Sequence, residues 1–209
     1  MEQIKAKYKS HFKNKDFLMS LLFSFVIFGV ALVINFYAGT YAAKIASNSV
    51  TDIILSNIRA YDLDGIFVYG SFVFFLFIFF VCAIKPQQIP FVVKSASLFI
   101  IVRSIFITLT HIGPFPSQVS INSDILSKLT FGADLFFSGH TGLPFLFALI
   151  FWENKIIRNI FLFFSLSFAI VVLLAHMHYT IDVLSAFFIT YGIYKIALII
   201  FRKDKKWDL

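Results

Sequence analysis

The chain has 209 residues, of which 59% are hydrophobic and 30 are Phe, and its formal net charge is +7. Soluble globular proteins contain roughly 45–50% apolar residues. This composition therefore excludes an ordinary soluble domain and indicates a protein whose solvent is the lipid bilayer. The single cysteine, Cys82, lies in an apolar segment, which excludes a disulfide framework.

Six apolar segments approach the length of about 20 residues that a membrane-spanning helix needs. In chain order they are residues 17–40, 66–84, 89–111, 138–152, 157–176 and 181–201. They predict an all-α integral membrane protein with six transmembrane helices. We expect the whole chain, residues 1–209, to form a single membrane domain with a basic tail at residues 1–16.

The Lys and Arg residues are distributed unevenly between the two sides of these segments, twelve against three. The twelve are Lys5, Lys7, Lys9, Lys13, Lys15, Lys85, Lys155, Arg158, Arg202, Lys203, Lys205 and Lys206, and the three are Lys44, Arg59 and Lys128. Because cytoplasmic loops carry the excess of Lys and Arg, both termini are expected in the cytoplasm. The loop at 112–137 and the turn at 176–182 then lie on the other side. The basic tails indicate topology and attraction to anionic lipid, and no nucleic-acid partner is expected.

The fourth segment is unusual because its 15 residues extend for roughly 22 Å as a helix, less than the bilayer core. Proline suits only the first turn of a helix, so Pro144 predicts that the regular helix begins near Gly142. Non-helical backbone inside a membrane survives where it lines a cavity. The residues just before Gly142 are therefore expected in a polar recess.

Ionisable side chains within spans suggest function by default. Lys94 and Lys195 lie near cytoplasmic ends, where we expect their side chains to snorkel to the surface. Arg103 lies deeper, in the third segment. It needs an anionic partner, which is either a carboxylate or a phosphate.

Two polar clusters lie at the expected outer side. One contains Asp134, Ser138, Gly139, His140 and Thr141, and the other contains His176, His178, Tyr179, Thr180 and Asp182. His178 and Asp182 share a helix face if the sixth helix has already begun there. A carboxylate at one imidazole nitrogen fixes the tautomer and leaves the other nitrogen free to attack. Metal binding by His176, His178 and Asp182 is the alternative. His111 and His176 either line the pocket or only lie at the interface.

The two clusters contain the segments Asp134-Leu-Phe-Phe-Ser138-Gly-His140-Thr141 and His178-Tyr179-Thr180-Ile181-Asp182-Val183. Both segments resemble the type-2 phosphatidic acid phosphatase (PAP2) superfamily, and more closely its sphingomyelin synthase-like branch. Arg103 with Pro114-Phe115-Pro116 is similar to a further motif of that branch. The resemblance implies a PAP2-like helical bundle whose catalytic core spans residues 89–201. It implies catalytic roles for His140, His178 and Asp182, with no metal and no other cofactor. The substrate-binding residues it implies are Arg103, Asp134, Ser138, Gly139, Thr141 and Tyr179.

The chain departs from the phosphatase pattern at several positions. Val171 and Val172 stand where phosphatases carry Ser-Arg, Arg103 is followed by Ser104, and Phe137 precedes Ser138. A missing Arg weakens the hold on a doubly charged phosphomonoester and favours a singly charged phosphodiester.

The function implied is transfer of a phospho-headgroup from a glycerophospholipid to a ceramide-like or other lipid alcohol, through a phosphohistidine-type intermediate. Its partners are membrane lipids. The alternatives are a lipid phosphatase or phospholipase C-like hydrolase that uses water, and a non-enzymatic membrane scaffold or transporter. The expected location is the bacterial cytoplasmic membrane, with the site on its non-cytoplasmic side.

Overall fold

The computed structural model describes residues 13–119 and 136–205, in which every regular element is helical. The helices are α1 (Lys15–Ile45), α2 (Asp64–Ile84), α3 (Ile89–Leu109), α4 (Gly139–Ile150), α5 (Lys155–Leu174), α6 (Thr180–Ile200) and α7 (Arg202–Lys205). Short 3-10 turns occur at Leu55–Asn57 and Pro86–Gln88. The predicted all-α class is confirmed for these residues.

Five helices, α1, α2, α3, α5 and α6, are long and apolar enough to cross a membrane. Helix α4 has 12 residues, or roughly 18 Å at 1.5 Å per residue, and falls short of a hydrocarbon core of about 30 Å. The chain is therefore a multi-pass membrane protein, and its described residues contain five candidate spans and one short apolar helix. The count of six spans stays a prediction.

The helix ends follow from local sequence. Asn14 caps α1, because its side-chain oxygen accepts a hydrogen bond of 2.9 Å from the backbone N–H of Asp16. Asn154 caps α5 in the same way, at 3.1 Å from the N–H of Ile157. Helix α2 ends at Ile84, two residues before Pro86, since the residue before a proline avoids helical geometry.

Helix α1 packs along α3 through small side chains. The buried positions of α1 include Ser24, Ala31 and Ala38, which recur every seven residues and so share one face. Small residues let two membrane helices approach closely where no water drives their association. The larger side chains of α1, such as Phe25 and Tyr37, are exposed on the protein surface.

Aromatic side chains fill the core between α2, α4 and α5. The ring of Phe147 lies 5.9 Å from that of Phe74 and 5.5 Å from that of Phe161, and all three are buried. Gly142 brings α4 against α3 and α6, because a Cβ there would lie 2.8 Å from both Phe99 and Thr190. This packing fixes the position of α4 in the bundle.

The start of α4 differs from the expectation. The helix begins at Gly139, three residues before the predicted start at Gly142, and it includes Pro144. Ser138 caps it, since its Oγ accepts a hydrogen bond of 3.3 Å from the N–H of Thr141. Pro144 has no N–H, so the helix loses the one hydrogen bond that this group would donate to the carbonyl of His140. Because that carbonyl lies at the polar end of the helix, the proline is tolerated in the second turn.

The expectation that Lys94 snorkels is wrong. The side chain is buried, and its Nζ lies 2.7 Å from a carboxylate oxygen of Asp204 and 2.7 Å from Ser20 Oγ. Ser20 Oγ also donates to Asp204. The physical reason is that α7 places Asp204 over the start of α3, where it pairs with the lysine. Since Ser20 belongs to the start of α1, these contacts place the starts of α1 and α3 and the end of the described chain together. We call this the tail end of the bundle.

Candidate active site

Arg103 lies in the half of α3 that is remote from the tail end and is 9% exposed. Its Nε donates a hydrogen bond of 2.8 Å to the carbonyl oxygen of Phe137, the residue before the cap of α4. A Cβ at Gly139 would lie 3.2 Å from the same Nε. The guanidinium therefore lies directly against the N-terminus of α4, which a larger residue at 139 would crowd.

The N-terminus of α4 supplies backbone donors beside this guanidinium. The Ser138 side chain satisfies the N–H of Thr141, whereas an α-helix offers no internal acceptor to its first amides, here those of Gly139 and His140. A helix N-terminus of this kind favours an anion. Thr141 is fully buried, and its carbonyl accepts a hydrogen bond of 2.8 Å from Ser165 Oγ on α5.

His140 lies in the first turn of α4, and aromatic rings surround it. Its ring centroid is 4.3 Å from that of Phe67 on α2 and 5.8 Å from that of Phe168 on α5. It also lies within electrostatic range of His178 and Arg103. The imidazole thus packs against two apolar rings and has two basic residues near it.

His178 and Asp182 approach each other at the start of α6. The Nδ1 of His178 is 3.5 Å from Oδ2 of Asp182, in contact but not hydrogen-bonded. The same Oδ2 accepts a hydrogen bond of 2.9 Å from the N–H of Tyr179. The helix begins at Thr180, so His178 precedes it instead of sharing its face. The pair nevertheless meets, because the capping turn folds His178 back over Asp182. This contact leaves Nε2 as the imidazole nitrogen that is turned away from the carboxylate.

The two clusters are joined directly. The N–H of Ser138 donates a hydrogen bond of 3.1 Å to the carbonyl oxygen of Asp182. Helices α3, α4 and α6 thus bring Arg103, His140 and the His178–Asp182 pair together. Asp134, the remaining predicted substrate-binding residue, lies outside the described residues.

The side chain of Tyr179 is directed into the loops that cover the start of α6. Its hydroxyl donates a hydrogen bond of 2.9 Å to the carbonyl of Gly113 and accepts one of 3.2 Å from the N–H of Val50. The ring is 1% exposed, and burial raises the pKa of its hydroxyl. The structure therefore places Tyr179 as a link between loops, and its predicted contact with substrate stays a prediction.

Asp52 is a residue of this region that the sequence reasoning missed. It lies between α1 and α2 and is 9% exposed, and both of its carboxylate oxygens accept hydrogen bonds from Thr180, at 2.7 Å from the N–H and 2.9 Å from Oγ1. Burial raises the pKa of the Asp52 carboxyl, but these hydrogen bonds outweigh it and the pKa lies below its usual value. The stability that this carboxylate contributes is present above the usual carboxyl pKa and is lost as the pH falls through the lowered one. The sequence offers one sign of this role: an Asp side chain can accept hydrogen bonds from the backbone N–H groups two or three residues further on in a turn.

His176 and His111 lie at the edge of this region. The Nδ1 of His176 is 2.6 Å from Ser117 Oγ, and burial lowers the pKa of its imidazole although the Asp52 carboxylate raises it. His111 is exposed, and its ring lies 6.2 Å from that of Tyr41. Within residues 13–119 and 136–205, no group of three His, Cys, Asp or Glu side chains is arranged to hold a metal ion.

These features define a membrane protein that is helical throughout its described residues, with a polar site of two histidines, a carboxylate and an arginine between the helices. Residues 132–198 match the family model described as PAP2 superfamily C-terminal. The matched segment contains both histidine motifs, and Arg103 precedes it. No curated protein and no solved structure matches the chain. The match supports the resemblance to the PAP2 superfamily and indicates enzymatic lipid chemistry of the phosphatase or phosphotransferase type.

Proposed function

We propose that the protein is a lipid phosphotransferase that moves a phospho-headgroup from a glycerophospholipid to a ceramide-like or other lipid alcohol. The observation that carries this proposal is the contact of 3.5 Å between His178 Nδ1 and Asp182, beside His140 and Arg103. A carboxylate at Nδ1 favours the tautomer whose proton is on Nδ1, so Nε2 keeps the lone pair that a nucleophile needs. We also propose that the protein belongs to the sphingomyelin synthase-like branch of the superfamily.

In the first step, Nε2 of His178 attacks phosphorus and forms an N–P bond, and the P–O bond to the diacylglycerol oxygen breaks. A protonated His140 gives its proton to that oxygen, so the leaving group departs as a neutral alcohol. A bound phosphate anion favours the protonated imidazole. The phosphorylated His178 ring carries a positive charge, which faces the Asp182 carboxylate.

In the second step, His140 takes the proton from the acceptor hydroxyl, whose oxygen attacks phosphorus. The N–P bond breaks and its electron pair returns to Nε2 of His178, which restores the enzyme. Arg103 and the first amides of α4 stabilise the charge on the non-bridging oxygens in both steps. A lipid alcohol gives transfer, whereas water in the same position gives hydrolysis.

The test is an assay with purified protein in vesicles of phosphatidylcholine, phosphatidylethanolamine and phosphatidic acid that contain fluorescent ceramide, with His178→Ala as the inactive control. We expect a fluorescent product that carries a phospho-headgroup. Formation of diacylglycerol without that product would favour a phospholipase C-like hydrolase. Turnover of phosphatidic acid alone would favour a phosphatase. No turnover of any of these lipids would favour a scaffold or transporter. The proposed site faces the non-cytoplasmic leaflet, and both termini are proposed to be cytoplasmic.

A further inference from the structure

Asp52 holds Thr180, one of the three residues between His178 and Asp182, although Asp52 lies far away in the sequence, on the loop between α1 and α2. Two of its four hydrogen bonds come from Thr180, through the backbone N–H and through Oγ1. The other two come from its own loop, from the backbone N–H groups of Ile54 (2.9 Å) and Leu55 (3.1 Å). The carboxylate thus connects the loop rigidly to the first residue of α6.

The same loop holds Tyr179, the residue between His178 and Thr180. Its hydroxyl is bonded to the N–H of Val50, two positions before Asp52, and to the carbonyl of Gly113. Its N–H is bonded to Oδ2 of Asp182. Because both residues that follow His178 are fixed in this way, the backbone has little freedom to change the distance between the imidazole and Asp182.

We propose that Asp52 is a positioning residue for the reaction, which fixes the first turn of α6 through Thr180 and thereby aims the imidazole of His178. This inference rests on the proposed function, because positioning matters only if His178 reacts. It also gives the segment between α1 and α2 a role in the site, which otherwise comes from α3, α4 and α6. Asp52 acts through Thr180 and does not touch the reacting atoms.

The chemistry of the contact favours aspartate. One oxygen accepts three hydrogen bonds and the other accepts one, all from donors, and a carboxylate offers acceptors at both oxygens. Asparagine keeps the shape but replaces one oxygen with a donor, which would face another donor. Alanine removes all four bonds. Asp62→Asn is a matched control, since Asp62 is exposed in the same segment and its Oδ1 accepts a bond of 3.2 Å from Asp64 N–H.

The test compares wild type, Asp52→Asn, Asp52→Ala and Asp62→Asn in the vesicle assay, with thermal stability measured in detergent. NMR of ¹⁵N-labelled histidine is recorded in parallel, with the His178 signals assigned by their loss in His178→Gln. A misplacement of about 1 Å can slow a reaction roughly a hundredfold. We expect both Asp52 variants to lower kcat by roughly ten- to a hundredfold with little change in KM. We also expect the His178 signals to shift towards a mixture of tautomers, while Asp62→Asn behaves as wild type.

A normal kcat in both Asp52 variants would overturn the inference. It is equally overturned if activity falls only in proportion to the folded protein, with the His178 signals unchanged. The NMR measurement keeps this question separate from the proposed function. If wild type turns over none of the lipids, the proposed function fails, and the tautomer of His178 in the Asp52 variants still decides whether Asp52 positions the ring.

Discussion

The backbone N–H of Ser138 donates a hydrogen bond of 3.1 Å to the carbonyl oxygen of Asp182. The bond ties the N-terminus of α4 to that of α6, so the turn that carries His140 cannot move independently of the turn that carries His178. The spacing of the two histidines is therefore set by backbone as well as by side-chain packing. Such preorganisation is what a two-histidine transfer reaction requires.

We expect His178→Ala to abolish turnover, because it removes the proposed nucleophile. Asp182→Asn should slow turnover by about 10²–10⁴-fold, since the amide can no longer stabilise the charged ring or hold its tautomer. Initial rates in the vesicle assay measure both effects. His111→Ala is the control, because its exposed ring should leave the rate unchanged. Near-normal turnover of His178→Ala would show that another group attacks phosphorus.

Arg103→Lys should keep the charge but lose the planar fork, and it should slow turnover roughly a hundredfold. Arg103→Ala should be slower still, while remaining folded in detergent. The competing interpretation is that Arg103 only holds α3 against α4, through its bond to the Phe137 carbonyl and by pairing with a carboxylate such as Asp134. In that case Arg103→Ala is unstable, and Asp134→Asn restores both stability and turnover by removing a stranded charge. Melting temperatures and initial rates of the single and double variants separate the two interpretations.

The buried pair at the tail end predicts a stability effect without a catalytic one. Lys94→Met leaves the Asp204 carboxylate, whose side chain is 6% exposed, without its cation, and breaking such a pair costs about 3–5 kcal/mol. The double variant Lys94→Met with Asp204→Asn removes both charges and should recover most of this loss. Thermal unfolding in detergent measures the difference, and Lys195→Met, on an exposed lysine, should be near neutral. Equal stability of Lys94→Met and wild type would contradict the importance of the pair.

Much of the fold could be predicted from the sequence, because long apolar segments have one solution in a bilayer. All six predicted segments are helical, and their bounds agree within a few residues. The start of α4 could not be predicted from Pro144 alone, since the cap by Ser138 decides it. The burial of Lys94 depends on Asp204, which only the tertiary structure brings to it.

The site likewise contains residues that the sequence points to and residues that only the tertiary structure brings there. His140, His178 and Asp182 could be proposed from the sequence, because the motifs that contain them are short and lie near the ends of spans. Asp52 was not found, since its four hydrogen bonds are formed by a loop fold and by Thr180, far along the chain. Tyr179 was identified, but the direction of its side chain into the loops depends on contacts with Val50 and Gly113.

The orientation of the bundle is tested by cysteine labelling in a Cys82→Ala background. Ser49→Cys, on the exposed loop after α1, should react with an impermeant thiol reagent added to intact cells from outside. Lys155→Cys, exposed at the start of α5, should react only after the membrane is opened. The physical reason is the excess of basic residues on the Lys155 side. The reverse pattern would place the site at the cytoplasmic leaflet.

As the proposed nucleophile, His178 is expected to carry the phospho-headgroup during the reaction. Purified protein is mixed with phosphatidylcholine or phosphatidylethanolamine labelled with ³²P, quenched in alkali within the first turnover, and digested for mass spectrometry. We predict an acid-labile, alkali-stable label on the peptide that contains His178, and none in His178→Ala. A label on another residue, or rapid turnover with no labelled peptide at any time, would contradict this role of His178.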